Sequence, residues 1–124
     1  MPLTTPGRLV LLIQGDPDTG QSLSAMLGAM GHEVRLAVDA DRARKLALES
    51  RPDIVLMDAE LPGCNGRDLA MELRSKLGVL LAPIVMISRT ASESEKRRSF
   101  DAGCDYHLSK PLDLGYLANL VSAS

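Results

Sequence analysis

Unbroken apolar runs and helically spaced apolar residues alternate along this chain. Leu9 to Ile13, Ile54 to Met57 and Ile84 to Ile87 are short runs rich in Leu, Val and Ile. Such runs suit strands buried on both faces of a parallel sheet, where neither face is wet. Val34, Leu36 and Val38 alternate with Arg35 and Ala37, which predicts an edge strand with one wetter face. Asp105 to Ser109 is a weaker fifth strand.

Between these runs the period changes to that of a helix. Leu23, Met26, Leu27 and Met30 form one apolar stripe that Gly31 closes. Ala43, Leu46 and Ala47 repeat the spacing before the Arg51-Pro52 break. Leu69, Leu73 and Leu77 follow Gly66, with Gly78 as the stop. Ser92-x-x-Glu95 predicts a capping box opening a polar helix to about Ala102. Leu114, Leu117 and Val121 mark a last helix. Strand and helix alternate strictly, five of each, which predicts right-handed βαβ units and a doubly wound α/β sandwich. Residues 1–7 read as an N-terminal tail and 8–124 as one domain, in keeping with a length of 124 residues.

Composition narrows the function. Fourteen Lys and Arg against 16 Asp and Glu give a net charge of -2, which argues against a non-specific nucleic-acid binder. No apolar run approaches a membrane span, and the first residues lack the charge and cleavage pattern of a secretory signal. Two cysteines, Cys64 and Cys104, are too few for a disulfide scaffold. They are expected at opposite ends of the sheet, unpaired, in a reducing cytoplasm. Three aromatic residues leave little for flavin or base stacking.

In open sheets of this type ligands bind beyond the carboxyl ends of the strands. Asp58 directly follows a buried run there, Ser88 ends the fourth strand and Lys110 follows the fifth. A carboxylate, a hydroxyl and an ammonium in one crevice suit phosphoryl chemistry. The aspartate can serve as nucleophile on phosphorus, the lysine can neutralise phosphoryl oxygens, and the hydroxyl can donate to one of them.

Three segments carry a family resemblance: Pro52-Asp-Ile-Val-Leu-Met-Asp58-Ala-Glu-Leu-Pro-Gly-Cys-Asn-Gly66, Pro83-Ile-Val-Met-Ile-Ser88 and Ala102-Gly-Cys-Asp-Tyr-His-Leu-Ser-Lys110-Pro111. In this order they resemble the phosphoacceptor strand, fourth strand and fifth strand of CheY-like receiver domains of two-component response regulators. The resemblance runs from about Leu9 to the C-terminus and implies sheet order 2-1-3-4-5. It implies Asp58 as phosphoacceptor, Ser88 as switch hydroxyl, Lys110 as phosphate contact and His107 at the aromatic switch position. It implies Mg²⁺ held by Asp58 and the Glu60 backbone carbonyl, with Asp16 in place of a missing acid. Glu60 and Thr90 fall at positions that tune autodephosphorylation, and the Lys110-Pro111 peptide is expected to be cis.

The sequence departs from the family pattern at three places. Gln14 and Gly15 stand where the family carries two adjacent acids for Mg²⁺, an ion that wants oxygen ligands. Arg89 follows the switch hydroxyl in place of a small residue, and could clasp a phosphate or block its donor. His107 replaces Tyr or Phe, leaving open a pH-sensitive switch or a half-buried packing residue.

The implied partners are a histidine kinase or histidine phosphotransfer protein and a downstream output protein or domain. The output face would comprise the fourth helix, fifth strand and fifth helix, with Arg97, Arg98, Tyr106 and Tyr116, where a homodimer could also form. The implied role is a phosphoacceptor in a cytoplasmic phosphorelay rather than an enzyme, with any autophosphorylation or autodephosphorylation self-directed. No direct nucleic-acid or membrane contact is expected. The alternative is a degenerate receiver that docks partners without phosphorylation, favoured by Gln14, Gly15 and Arg89. An aspartate phosphatase would resemble Asp-x-Asp where this chain has Asp58-Ala-Glu60, and a flavodoxin-like carrier lacks its phosphate loop and stacking aromatics here.

Overall fold

Register brings the carboxyl ends of the strands together. In a computed structural model, which describes residues 7–75, 82–90 and 92–123, five parallel strands form one sheet. They are β1 (Leu9–Ile13), β2 (Glu33–Ala37), β3 (Ile54–Asp58), β4 (Ile84–Ser88) and β5 (Tyr106–Ser109), in the order β2-β1-β3-β4-β5. Ile13 lies opposite Met57, Asp58 opposite Ile87, and Ser88 opposite Ser109. Gln14, Asp58, Ser88 and Lys110 therefore emerge side by side at one edge.

The helices are α1 (Pro17–Ala29), α2 (Ala40–Ser50), α3 (Gly66–Ser75), α4 (Glu93–Asp101) and α5 (Leu114–Ala123). Alternate residues of the inner strands feed two apolar layers. Leu11, Ile13, Val55, Met57, Ile84 and Met86 join Ala43 and Ala47 of α2 and Leu69 and Leu73 of α3. Val10, Leu12, Ile54, Leu56, Val85 and Ile87 join Leu23 and Leu27 of α1 and Leu117 and Val121 of α5. That two-sided burial explains the unbroken apolar runs, and each large side chain so buried contributes about 1.5–3 kcal/mol. No helix among the described residues is long and apolar enough to cross a membrane.

Several local expectations are corrected. The assumed wet face of β2 is wrong at its end: Ala37 is fully buried and Val38 is 38% exposed beyond the strand. Ala37 packs in the layer that holds Ala43 and Ala47, where α2 lies close and small residues fit. Met30 and Leu114 keep the helical spacing but sit at helix ends and are exposed, because the core does not extend under them. A small hairpin, Glu60–Leu61 paired with Cys64–Asn65 across Pro62 and Gly63 (φ +66°), was not expected. Only half of the capping box forms. Ser92 Oγ accepts from the Glu95 amide at 3.2 Å, while the Glu95 carboxylate pairs with Arg67 at 2.7 Å. Leu77 and Gly78, predicted to end α3, lie outside the described residues, as do residues 1–6 of the tail.

Both cysteines are free. Burial pushes the Cys104 thiol up to about 11, with Asp105 adding to the effect, and burial also raises Cys64. The stabilisation from keeping Cys104 protonated is full below pH 9 and is lost as pH rises through about 11. With iodoacetamide at neutral pH, Cys104 should therefore react only on unfolding, while half-buried Cys64 reacts slowly in the folded protein. Mass spectrometry of native and urea-treated protein checks this; native labelling of Cys104 as fast as Cys64 would contradict the packing.

Candidate functional site

Asp58 is the last residue of β3 and is 2% exposed. A carboxylate at that depth needs donors, and three converge on it. Lys110 Nζ lies 2.6 Å from Oδ2 and Gln14 Nε2 donates to the same oxygen at 3.0 Å. The Glu60 amide donates to Oδ1 at 2.8 Å. Each donor has its own support. The β1 register places Gln14, the hairpin turns the Glu60 amide back, and Lys110 follows β5 at a cis Lys110-Pro111 peptide. Gly66 lets α3 start hard against this loop, since a Cβ there would lie 2.8 Å from Ala59 Cα.

Ser88 faces a second network. Its hydroxyl donates to the Thr90 carbonyl at 2.6 Å and also contacts His107 Nε2 at 2.8 Å. Nε2 lies 3.0 Å from the same carbonyl, and Nδ1 lies 2.8 Å from the hydroxyl of Ser99. With the Ser88 proton spent on Thr90, Nε2 is the protonated nitrogen and Nδ1 accepts from Ser99. Ser99 is the fully buried serine of α4. A hydrogen-bonded chain thus joins the end of β4 through β5 to α4.

Around Asp58 opens a cavity of about 540 Å³, lined in part by Gln14, Asp16, Glu60, Pro62, Arg89 and Lys110. Arg89 is 77% exposed and pairs with the Glu60 carboxylate at 3.0 Å on its rim. Asp16 accepts a 2.5 Å hydrogen bond from the Thr19 hydroxyl, which chiefly holds its carboxyl below the usual range.

Residues 10–122 match the response regulator receiver domain. The chain belongs to the receiver-domain family of two-component response regulators. It is 34% identical over 116 residues to the transcriptional regulatory protein KdpE of Mycobacterium tuberculosis, covering 93% of this chain and 50% of that protein. It is 30% identical over 114 residues to the DNA-binding dual master transcriptional regulator RpaA of Synechocystis, covering 92% and 47%. The chain thus spans about half the length of these curated relatives. A two-component response regulator from Clostridium difficile superposes with a TM-score of 0.86 at 27% identity, over 93% of both chains.

Receiver domains bind Mg²⁺ at an acidic pocket, so the donor set of this one can be tested for fit. Both oxygens of Asp58 already accept hydrogen bonds, and it is the amide of Glu60 that reaches Asp58. The Asp16 carboxylate is taken up by Thr19 within its own turn. Among the described residues no group of three His, Cys, Asp or Glu is placed to hold a metal ion. As arranged, Asp58 and Asp16 do not form the Mg²⁺ site expected from sequence, because the Gln14 amide aims a hydrogen-bond donor at Asp58 where an oxygen ligand is needed and Asp16 is turned to Thr19.

Lys110 and Glu60 both reach Asp58, Glu60 through its amide and not through the carbonyl expected as a metal ligand, and Ser88 meets His107. Asp16 lines the cavity without touching Asp58. Two participants escaped the sequence reading: Gln14 as a direct partner of Asp58, and Ser99 as the partner of His107. The signal for Ser99 was a small residue at a core-facing position of an otherwise polar helix. Ala substitution of His107 should cost about 1–3 kcal/mol by leaving the buried Ser99 hydroxyl unpaired. A double-mutant cycle of His107→Ala with Ser99→Ala, read by urea unfolding, should give a coupling of roughly 0.5–3 kcal/mol. Simple additivity would mean that the two side chains do not interact.

Proposed function

We propose that this receiver domain is a phosphorylation-gated signalling module in which Asp58 takes a phosphoryl group from a phosphohistidine. The observation that carries this reading is the buried Asp58 carboxylate held 2.6 Å from Lys110 Nζ at the floor of an open cavity. One Asp58 oxygen bonds to phosphorus as the P–N bond breaks, and the electron pair remains on the imidazole of the donor. The donor histidine leaves neutral, with its other ring nitrogen protonated. Lys110 then offsets charge on the phosphoryl oxygens instead of the carboxylate. The donor would be a cytoplasmic histidine kinase or phosphotransfer protein. Beside Lys110 an apolar groove of about 570 Å³, with Leu23, Met26, Leu112 and Leu114, offers it a seat.

The switch follows from the second network. Ser88 leaves the Thr90 carbonyl and turns its hydroxyl to a phosphoryl oxygen. His107 loses that partner and repacks, and Ser99 carries the change into α4. Exposed Tyr106 and Tyr116 lie on β5 and α5 beside it, a face for an output protein or a second copy. The response is a shift between two states, set by how differently the partner binds them.

A second reading, a docking module that needs no phosphorylation, draws on the same Gln14 contact, because Asp58 is already satisfied by its neighbours. Intact-mass measurement separates the two. After incubation with acetyl phosphate, or with a phosphohistidine donor, the wild type should gain one phosphate and Asp58→Asn none. No adduct from either donor would overturn the phosphoacceptor reading in favour of docking.

A further inference from the structure

Three observations bear on how Asp58 manages charge. The Gln14 amide is 5% exposed, and its orientation is fixed from both ends. Its oxygen accepts from the Asp16 amide at 3.1 Å while its nitrogen donates to Asp58 at 3.0 Å. Reversing it would set oxygen against carboxylate and NH₂ against N–H, so it presents a donor where a metal needs an acceptor. The neighbouring position is closed sterically. A Cβ on Gly15 would lie 2.5 Å from Pro62 Cδ, so the hairpin turn occupies the space a second acid would need. Finally, Arg89 reaches the cavity rim, giving two cations with Lys110.

We propose that this receiver works without a divalent cation, with the Gln14 amide, Lys110 and Arg89 doing together what a metal ion does at an acidic pocket. The inference rests on the reading of Asp58 as phosphoacceptor and extends it. Gln14 Nε2 has two hydrogens; one holds Asp58, and the other serves a phosphoryl oxygen across the cavity that Gln14 lines. Arg89 exchanges Glu60 for the phosphoryl group, a planar fork suited to two of its oxygens. The charges match, since a bound acyl phosphate carries about two negative charges at neutral pH against these two cations. With acetyl phosphate the step balances. An Asp58 oxygen bonds to phosphorus, the P–O bond to the acetyl group breaks, and acetate leaves with the electron pair. No proton or redox partner is needed.

The test has two arms. Mg²⁺ alone is titrated into wild type and Gln14→Asp, followed by backbone amide NMR around residues 14 and 58. Wild type should show no saturable shift, whereas Gln14→Asp should bind at least about tenfold more tightly. Saturable binding by wild type would overturn the proposal. Should Gln14→Asp fail to fold by circular dichroism, Gln14→Glu takes its place, and the wild-type titration stands alone in any case. In the second arm, wild type is labelled with acetyl phosphate in Mg²⁺ or in EDTA. Equal rates are expected, with a slower rate for Arg89→Ala, and loss of labelling in EDTA would overturn the proposal. Absence of an adduct in either buffer, and from a phosphohistidine donor, would instead sink the phosphoacceptor reading. The Mg²⁺ titration would still decide whether Gln14 excludes the ion.

Discussion

One buried charge organises this molecule. The Asp58 carboxylate sits at the end of the central strand, and an isolated ion there would be too costly to keep. It persists because donors arrive from β1, from the loop after β3 and from the end of β5. Those arrivals depend on strand register, and register depends on the two apolar layers that fix each strand's facing. The sheet is thus a device for bringing an amide, a backbone N–H and an ammonium to one carboxylate. In the proposed switch, a phosphoryl group on Asp58 would change that balance.

How such a change would travel follows from the packing of α4. That helix buries little beyond Ser99 in the sheet-facing stretch, and its remaining surface is largely charged. The other helices are anchored by Leu or Ala stripes. A polar contact through His107 therefore carries more of the attachment of α4 than hydrogen bonds carry elsewhere, and its rearrangement costs less apolar burial. An imidazole also differs from an aromatic ring at this place. It is tied at both nitrogens, so the contacts to Ser88 and Ser99 are satisfied together by one tautomer.

Much of this was legible in the sequence, for definite reasons. The inner strands announce themselves because both faces are buried, and Asp58, Ser88 and Lys110 announce themselves by interrupting or ending those runs. The edge strand misleads because Ala37 carries little hydropathy yet fills a tight space, while Val38 is apolar and exposed. The hairpin at 60–65 is too short for a periodic signal and rests on the Pro62-Gly63 turn. Gln14 could be seen as a departure, but the direction of its amide is set by two partners, Asp16 and Asp58, that only the folded chain brings to it. Ser99 likewise gains meaning only when β5 delivers His107 beside it.

In the proposed switch, charge at Asp58 and the attachment of α4 are coupled through Ser88, His107 and Ser99. The most direct measurement is an NMR comparison of the unmodified protein with the protein phosphorylated on Asp58, following the His107 ring nitrogens and the Ser99 amide. Both sets of signals should move with the adduct, and Ser88→Ala should suppress the movement at Ser99. A stoichiometric adduct on Asp58 that leaves His107 and Ser99 where they were would contradict it.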